Sequence, residues 1–572
     1  MTHPLLTIEN LVVDFGSGPG KTRAVDDITF TVNRGEIVAI VGESGSGKSV
    51  TSLSLLQLLP KKETHFPSGK LLFSKDGSLP CDLLGLSGTP LRKIRGADIA
   101  MIFQEPMTSL NPVFTCGDQV MEAIREHQKY SRTQARERTL DLFRLVKLSD
   151  PERILSAYPH EISGGQKQRV MIAMAISANP ALLIADEPTT ALDATVQKSI
   201  LELLANLQAQ TNMGLILITH DFGVVQEIAH KVVVMYRGRI LEQNTTAEIF
   251  RNPVHPYTKA LLACRPILHP KGTRLPVVSD FWQPGQENFQ ANLNEPKPAI
   301  VQPVSGKPLL KIEDLKVWFP AKKNLLGKAT AFTRAVDGVD FDVMQGETLG
   351  IVGESGCGKT TLGRTLLRLV PATGGRVLHK GNDILALPKK DLQELRKEFQ
   401  IVFQDPYASL NPRITIGEAI QEAMQVHNIG HSTKSRREKV VELLEKVNLQ
   451  SDHYNRYPHA FSGGQRQRIG IARALAIDPG IIVFDESVSS LDVSVQAQVL
   501  NLINDLKREF GFTALFISHD LGVVRYISDR ILVMKSGLVE EIGVAEKVFN
   551  HPESAYTRKL LDAISGNRPG AL

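Results

Sequence analysis

Short, almost unbroken apolar runs alternate along this chain with longer stretches in which apolar residues return every three or four positions. "EIVAIV" (36–41), "ETLGIV" (347–352), "ALLIADE" (181–187) and "GIIVFDE" (480–486) are of the first kind. Runs that are apolar at nearly every position predict strands covered on both faces, as in a parallel sheet. "SVTSLSLLQLL" (49–59), "TTLGRTLLRLV" (360–370), "QKQRVMIAMAI" (166–176) and "QRQRIGIARAL" (465–475) are of the second kind. Their spacing predicts helices that lay one face on such a sheet. Strands alternating with helices in this way predict an α/β fold.

The examples come in pairs because the chain repeats itself. A shift of 311 residues superposes Gly42 on Gly353. "MIFQEPMTSLNP" (101–112) meets "IVFQDPYASLNP" (401–412) at a shift of 300, and "YPHEISGGQKQRVMIAMAI" (158–176) meets "YPHAFSGGQRQRIGIARAL" (457–475) at 299. A period near 300 means two whole domains. The drop from 311 to 300 places an 11-residue excess within 62–96 of the first half, a Gly/Ser/Lys-rich stretch expected as a surface insertion. From Pro266 to Pro308 the chain is rich in Pro, Gln and Asn without a sustained period, which predicts a partly extended linker. Phe281 and Trp282 are out of place in a pure spacer, so part of it is expected to dock on a domain. The expected organisation is one domain over 1–265, a linker over 266–308 and a second domain over 309–572.

Between strand and helix each half carries G-x-x-x-x-G-K-[ST]: Gly42, Glu43, Ser44, Gly45, Ser46, Gly47, Lys48 and Ser49 in the first, and Gly353, Glu354, Ser355, Gly356, Cys357, Gly358, Lys359 and Thr360 in the second. Glycines let successive backbone N–H groups face one point, the Lys reaches the β- and γ-phosphates, and the hydroxyl of Ser49 or Thr360 ligates Mg²⁺. "SGGQ" opens a helical run twice, at Ser163, Gly164, Gly165 and Gln166 and at Ser462, Gly463, Gly464 and Gln465. Such helix N-termini are ready phosphate sites.

Composition adds mainly exclusions. The 572 residues suffice for three or four domains or two larger ones, with 42 % apolar and 22 % charged residues as in ordinary globular protein. A net charge of +5 gives no reason to expect nucleic acid. No run approaches 18 apolar residues and "MTHPLLTIEN" lacks the apolar core of a signal peptide, so neither membrane spans nor export are expected. Cys81, Cys116, Cys264 and Cys357 are scattered, against a zinc ribbon, cluster or disulfide framework and in keeping with a reducing compartment.

In each half the order is phosphate loop, Gln loop, "SGGQ", an apolar strand ending in Asp-Glu, then a lone His. This order resembles the ATP-binding cassette (ABC) ATPases over nearly the whole chain outside the linker. The resemblance implies two tandem P-loop NTPase domains, each with a RecA-like core, a helical subdomain and an antiparallel β subdomain. It implies that Asp186 and Asp485 hold Mg²⁺ at one remove and that Glu187 and Glu486 orient and deprotonate the attacking water. It implies that His220 and His519 meet the γ-phosphate and that water, which suits a neutral imidazole, and that Gln104 and Gln404 bind Mg²⁺ or water. Phe15 and Phe319 either stack on adenine or fill a strand's core side. In this family the "SGGQ" of one half closes over nucleotide held by the other, so Ser462–Gln465 would cover the Lys48 site and Ser163–Gln166 the Lys359 site. Ser487 stands where the first half has Pro188, and Cys357 takes a permissive loop position; neither removes a ligand group.

"FQEPMTSLNP", "FQDPYASLNP", "YPH" before "SGG" and the tail "HPYT" resemble the peptide/nickel branch of ABC importers, closest to the fused double ATPases of dipeptide, oligopeptide, glutathione and microcin C importers. The implied partners are two membrane permeases and, indirectly, an extracytoplasmic binding protein, with the chain peripheral on the cytoplasmic face of the inner membrane. The competing class is a soluble double cassette acting on ribosomes or nucleic acid. Its translation factors carry a long charged helical linker and its repair enzyme carries Cys clusters, and neither is present here.

Overall fold

The computed structural model describes residues 3–16, 18–104, 109–190, 192–283, 308–323, 329–405 and 407–564. Residues 284–307 of the expected linker, 105–108 and Pro406 in the paired stretches after the glutamines, and 565–572 lie outside the described residues.

Each half is built on a six-stranded sheet. In the first the order is Arg239–Thr245, Lys231–Tyr236, Ile37–Val41, Gly214–Ile218, Leu182–Asp186, Ile99–Ile102; all pairings are parallel except that of the first-named strand. Ile37–Val41 and Leu182–Asp186 are buried at every position, as their unbroken apolar runs require. The second half repeats the order with Leu538–Val544, Arg530–Lys535, Thr348–Val352, Thr513–Ile517, Ile481–Asp485 and Phe399–Val402. The phosphate loops therefore leave central strands at their C-terminal ends, where open α/β sheets place ligands.

An antiparallel four-stranded sheet lies beside each of these, built in the first half from Thr22–Val32, Leu6–Phe15, Thr64–Phe73 and Cys81–Asp82. A helical subdomain forms between the Gln loop and "SGGQ". Its helices Cys116–His127, Arg132–Leu145 and Pro151–Ser156 start at side-chain caps on Thr115, Ser131 and Asp150, which take up otherwise unpaired N–H groups. Val120, Ile124, Leu142 and Phe143 close this subdomain on the core, each about 1.5–3 kcal/mol of burial.

Two expectations change. The 11-residue excess is not one insertion. The turn between Thr64–Phe73 and Cys81–Asp82 spans Ser74–Pro80, seven residues, where the second half has only Lys380 and Gly381 between Gly374–His379 and Asn382–Asp383. Much of the remainder lengthens the lead-in of the strand Thr64–Phe73, which has 10 residues against 6. A hairpin absorbs extra residues with little disturbance, because its register is set from the paired ends. The segment Pro266–Gln283, assigned to the linker with docking expected around Phe281 and Trp282, is packed over more of its length than that: Leu275 is fully buried, and Pro266–Leu268 and Val278–Phe281 are short helical turns.

Candidate functional site

The two phosphate loops share one backbone form. Gly42 and Gly353 have φ of 150° and 151°, and a side-chain carbon there would come within 2.1 and 2.2 Å of the Met235 and Met534 carbonyl oxygens. Only glycine fits both the torsion and the gap. Lys48 opens the helix Lys48–Leu55, and its buried Nζ donates to the carbonyls of Gly42 (2.7 Å) and Glu43 (2.9 Å). Lys359 repeats this with Gly353 (2.8 Å) and Glu354 (3.0 Å). Burial pulls the Lys48 ammonium below its usual range, although Asp492, Glu187 and Asp186 oppose the change. Each loop is also held from behind: the Glu43 N–H donates to the Tyr257 hydroxyl (3.2 Å) and the Glu354 N–H to Tyr556 (3.3 Å).

The strand-end carboxylates divide into two kinds. Ser49 Oγ donates to Asp186 Oδ1 at 3.2 Å, and Thr360 Oγ1 to Asp485 Oδ1 at 2.9 Å. Burial pushes Asp186 up to about 6 and also raises Asp485, which has the Arg364 guanidinium 3.6 Å away. Leu53 occupies the matching position of the first half. A hydroxyl against a carboxylate at the mouth of a phosphate loop is an all-oxygen donor pair suited to Mg²⁺.

Glu187 and Glu486 lie in left-handed backbone, at φ of 46° and 49°. Glu187 Oε2 accepts from Gln104 Nε2 (2.9 Å) and Thr190 Oγ1 (2.9 Å), and its Oε1 is 3.5 Å from His220 Nδ1. Glu486 accepts from Gln404 Nε2 (2.8 Å) and lies 3.4 Å from His519 Nδ1. Burial alone would raise Glu187, but the hydrogen bond and charge of His220 outweigh it and hold the carboxyl down at about 2. Neighbouring carboxyls pushed in opposite directions mark chemistry sites. The His220 imidazole, expected to be neutral, is shifted by its neighbour. Burial opposes its charge, yet Glu187 raises it and favours the cation; Glu486 does the same for His519.

Phe15 pairs with Thr22, two residues from Ala24, whose carbonyl abuts Gly47; Phe319 pairs with Thr333, two residues from Ala335, whose carbonyl abuts Gly358. Neither is in the buried core, and Phe319 is 42 % exposed.

"SGGQ" forms a reciprocal cap in each half, with Gln166 N–H on Ser163 Oγ and Ser163 N–H on Gln166 Oε1, and likewise for Ser462 and Gln465. Hydrogen bonds that cross between the halves join the phosphate loops to Asp492, Ser494, Asp193 and Thr195, which sequence reasoning passed over. The Ser44 N–H donates to Asp492 Oδ2 (2.9 Å), and Ser494 Oγ donates to the Glu43 carboxylate. Reciprocally, the Ser355 N–H donates to Asp193 Oδ2 (3.2 Å) and Thr195 Oγ1 to Glu354 Oε1 (2.9 Å). Gly464 lies against Val495 and Gly165 against Val196, so close that a methyl group would approach to 2.3 and 2.7 Å. Each "SGGQ" therefore rests on the helix start whose Asp reaches the opposite loop. The signal was available: "LDAT" and "LDVS" match at the same 299 shift, six residues beyond the glutamates. A cavity of about 190 Å³ between the halves has both His220 and His519 in its wall.

Because Asp186 binds its proton up to about pH 6 when folded but only to about 3.8 when unfolded, the folded state takes up more protons across that window. The contribution of Asp186 to the stability of the Mg²⁺-free protein therefore falls as pH rises from about 4 to 6 and stays lower above. Asp186→Asn should therefore stabilise the Mg²⁺-free chain by about 2 kcal/mol at pH 7.5, with little gain at pH 4. Calorimetric unfolding at the two pH values measures this, and equal gains at both would refute the assignment.

Comparison with known proteins gives a consistent answer. The family profile described as "ABC transporter" matches residues 25–190 and 336–489, and that of "Oligopeptide/dipeptide transporter, C-terminal region" matches 241–280 and 540–572. The glutathione import ATP-binding protein GsiA of Pectobacterium atrosepticum is 48 % identical over 560 residues, 98 % of this chain and 89 % of that protein. The protein of that name from Escherichia coli K12 is 49 % identical over 574 residues, 99 % of this chain and 90 % of its own length. Among solved structures, a dimeric ATP-binding cassette in a post-hydrolysis state with ADP and Pi is 28 % identical, covering 41 % of this chain and 98 % of that one, with a TM-score of 0.37.

Proposed function

We propose that this chain, which belongs to the ABC transporter family, hydrolyses ATP at two composite sites to drive import of peptides of the dipeptide/oligopeptide class, glutathione included. The observation that carries the two-site reading is the reciprocal pair of hydrogen bonds, Ser44 to Asp492 and Ser355 to Asp193. The cargo class rests on the repeated peptide-transporter region and the glutathione import relatives.

In the first site the N–H groups of Gly42–Ser49 and the Lys48 ammonium bind the β- and γ-phosphates. Ser49, Gln104 and Asp186 would hold Mg²⁺, which when bound neutralises charge between those phosphates. Glu187, aimed by Gln104, Thr190 and His220, orients a water toward the γ-phosphate and takes its proton. Ser462, Gly463, Gly464 and Gln465 cover this nucleotide from the other half. Lys359, Thr360, Gln404, Asp485, Glu486 and His519 make the reciprocal site under Ser163–Gln166. Phe15 and Phe319 flank the two adenines.

Phe103, Val113 and Phe114, beside the Gln104 loop, are 41, 70 and 53 % exposed, and Tyr407 beside Gln404 is 64 % exposed. These apolar patches fit docking of two permease subunits, which in turn meet an extracytoplasmic binding protein. No helix among the described residues is long and apolar enough to cross a membrane. The chain then sits peripherally on the cytoplasmic face of the inner membrane, and closure of its halves biases the permeases toward their outward-facing state.

Reconstitution with the permease pair tests this. ATPase rate should change severalfold on adding permeases in lipid, and labelled dipeptide or glutathione should enter vesicles only with ATP. Indifference to permeases, with stimulation by ribosomes or RNA, would favour the non-transport class.

A further inference from the structure

Residues 265–282 leave the first cassette and are gripped by the second before returning. Lys271 Nζ pairs with Asp529, which Lys507 also approaches at 3.5 Å. The Tyr526 hydroxyl donates to the Thr273 carbonyl (2.8 Å). Asn501 takes both backbone groups of Leu275, accepting its N–H (2.9 Å) and donating to its carbonyl (2.8 Å), while the Leu275 side chain is fully buried in the second cassette's core. Among the described residues this grip is found on the second cassette. At the shift of 299, Asn501, Tyr526 and Asp529 correspond to Glu202, Glu227 and His230 of the first cassette.

The strap ends on the first cassette. Val278 packs against apolar clusters of both halves. Trp282 lies edge-on to Tyr236 (ring centroids 4.8 Å apart) and Tyr257 (5.6 Å) and beside His255 (5.4 Å). Tyr257 is the residue whose hydroxyl accepts the Glu43 N–H of the first phosphate loop. In the second cassette the matching Tyr556 is covered by Lys535, 4.9 Å from its ring, in place of Tyr236.

We infer that Trp282 is a positioning residue for the first ATP site, seating Tyr257 behind the phosphate loop, and that its strap makes this support depend on where the second cassette stands. The first site senses the relative position of the halves through this contact, whereas among the described residues the Tyr556 ring behind the Lys359 loop is covered by Lys535. The inference rests on the reading of the Lys48 loop as a nucleotide site.

The chain has two tryptophans, so in a Trp318→Phe background Trp282 is the sole indole. Titration with the magnesium complex of a non-hydrolysable ATP analogue should shift its emission. Lys48→Ala should erase the shift, whereas Lys359→Ala, which reaches Trp282 only through closure of the halves, should weaken it without erasing it. Binding of a fluorescent nucleotide, measured in parallel, separates the two layers. If Lys48→Ala keeps both nucleotides, the reading of the loop fails; if it loses one but Trp282 never responded in the parent, the strap inference fails. In turnover, Trp282→Ala should raise KM for ATP about fivefold with kcat within about twofold, and Trp282→Phe should restore KM. Asn501→Glu, which installs the first cassette's residue in the groove, should raise KM alike; unchanged KM and emission in Asn501→Glu would overturn the coupling.

Discussion

Replacing Lys48 by Ala should lower ATP turnover of the whole chain about tenfold or more, and Lys359→Ala should do the same. Each ammonium is buried, 6 and 4 % exposed, and anchored to two loop carbonyls facing the triphosphate position. Two independent sites would lose only half of the turnover with either substitution. The crossing bonds argue for a larger loss, because Asp492 and Ser494 touch the first loop while Asp193 and Thr195 touch the second. A half that cannot close over its own nucleotide also withholds its cover from the other. Steady-state hydrolysis at saturating ATP decides the matter. Loss of half would mean independent sites, and near wild-type turnover in one variant would make that half a clamp.

The second large effect concerns which halves share a site. Ser462→Arg should silence trapping of nucleotide by vanadate at the Lys48 loop by roughly 10²-fold, while Ser163→Arg should act first at the Lys359 loop. Ser462 caps a helix start resting on Val495, beside the Ser494 and Asp492 that reach Glu43 and Ser44. On the proposed pairing, an arginine placed there would meet the first loop. Glu187→Gln strikes the same site by removing the carboxylate that Gln104, Thr190 and His220 aim. The double variant Ser462→Arg/Glu187→Gln should cost far less than the product of the single losses, since residues acting as one unit are not additive. Ser163→Arg with Glu187→Gln damages both sites and should be worse than either alone. Site-resolved trapping in which Ser163→Arg silences the Lys48 loop would reverse the pairing.

The phosphate loops, the Asp-Glu strand ends, the histidines and "SGGQ" were legible because each is a contiguous string whose spacing is dictated by one ligand, and because each occurs twice. Sheet composition was legible for a similar reason: a strand covered on both faces has no polar position to disguise it. Asp193 and Asp492 were harder. Each reads as an ordinary helix cap in its own half, and its second role appears only when the other half is alongside. The upward shift of His220 comes from the proximity of Glu187, which lies 33 positions away in sequence. Arg364 near Asp485 has no counterpart at Leu53, so comparison of the halves exposes it as a difference without saying what it touches. Composition placed Pro266–Gln283 in a spacer because prolines and polar residues dominate it. The few anchors, Leu275 and Trp282, carry the packing.

The grip of the second cassette on Lys271–Leu275 also bears on how such a protein can be encoded. Since the first cassette's arm is seated on the second before the chain passes Gln283, recognition between the halves does not require the peptide bond that joins them. A gene divided anywhere between the codons for Gln283 and Pro308 would yield two polypeptides, the first still ending in its own docking arm. Fusion adds local concentration to parts that already fit.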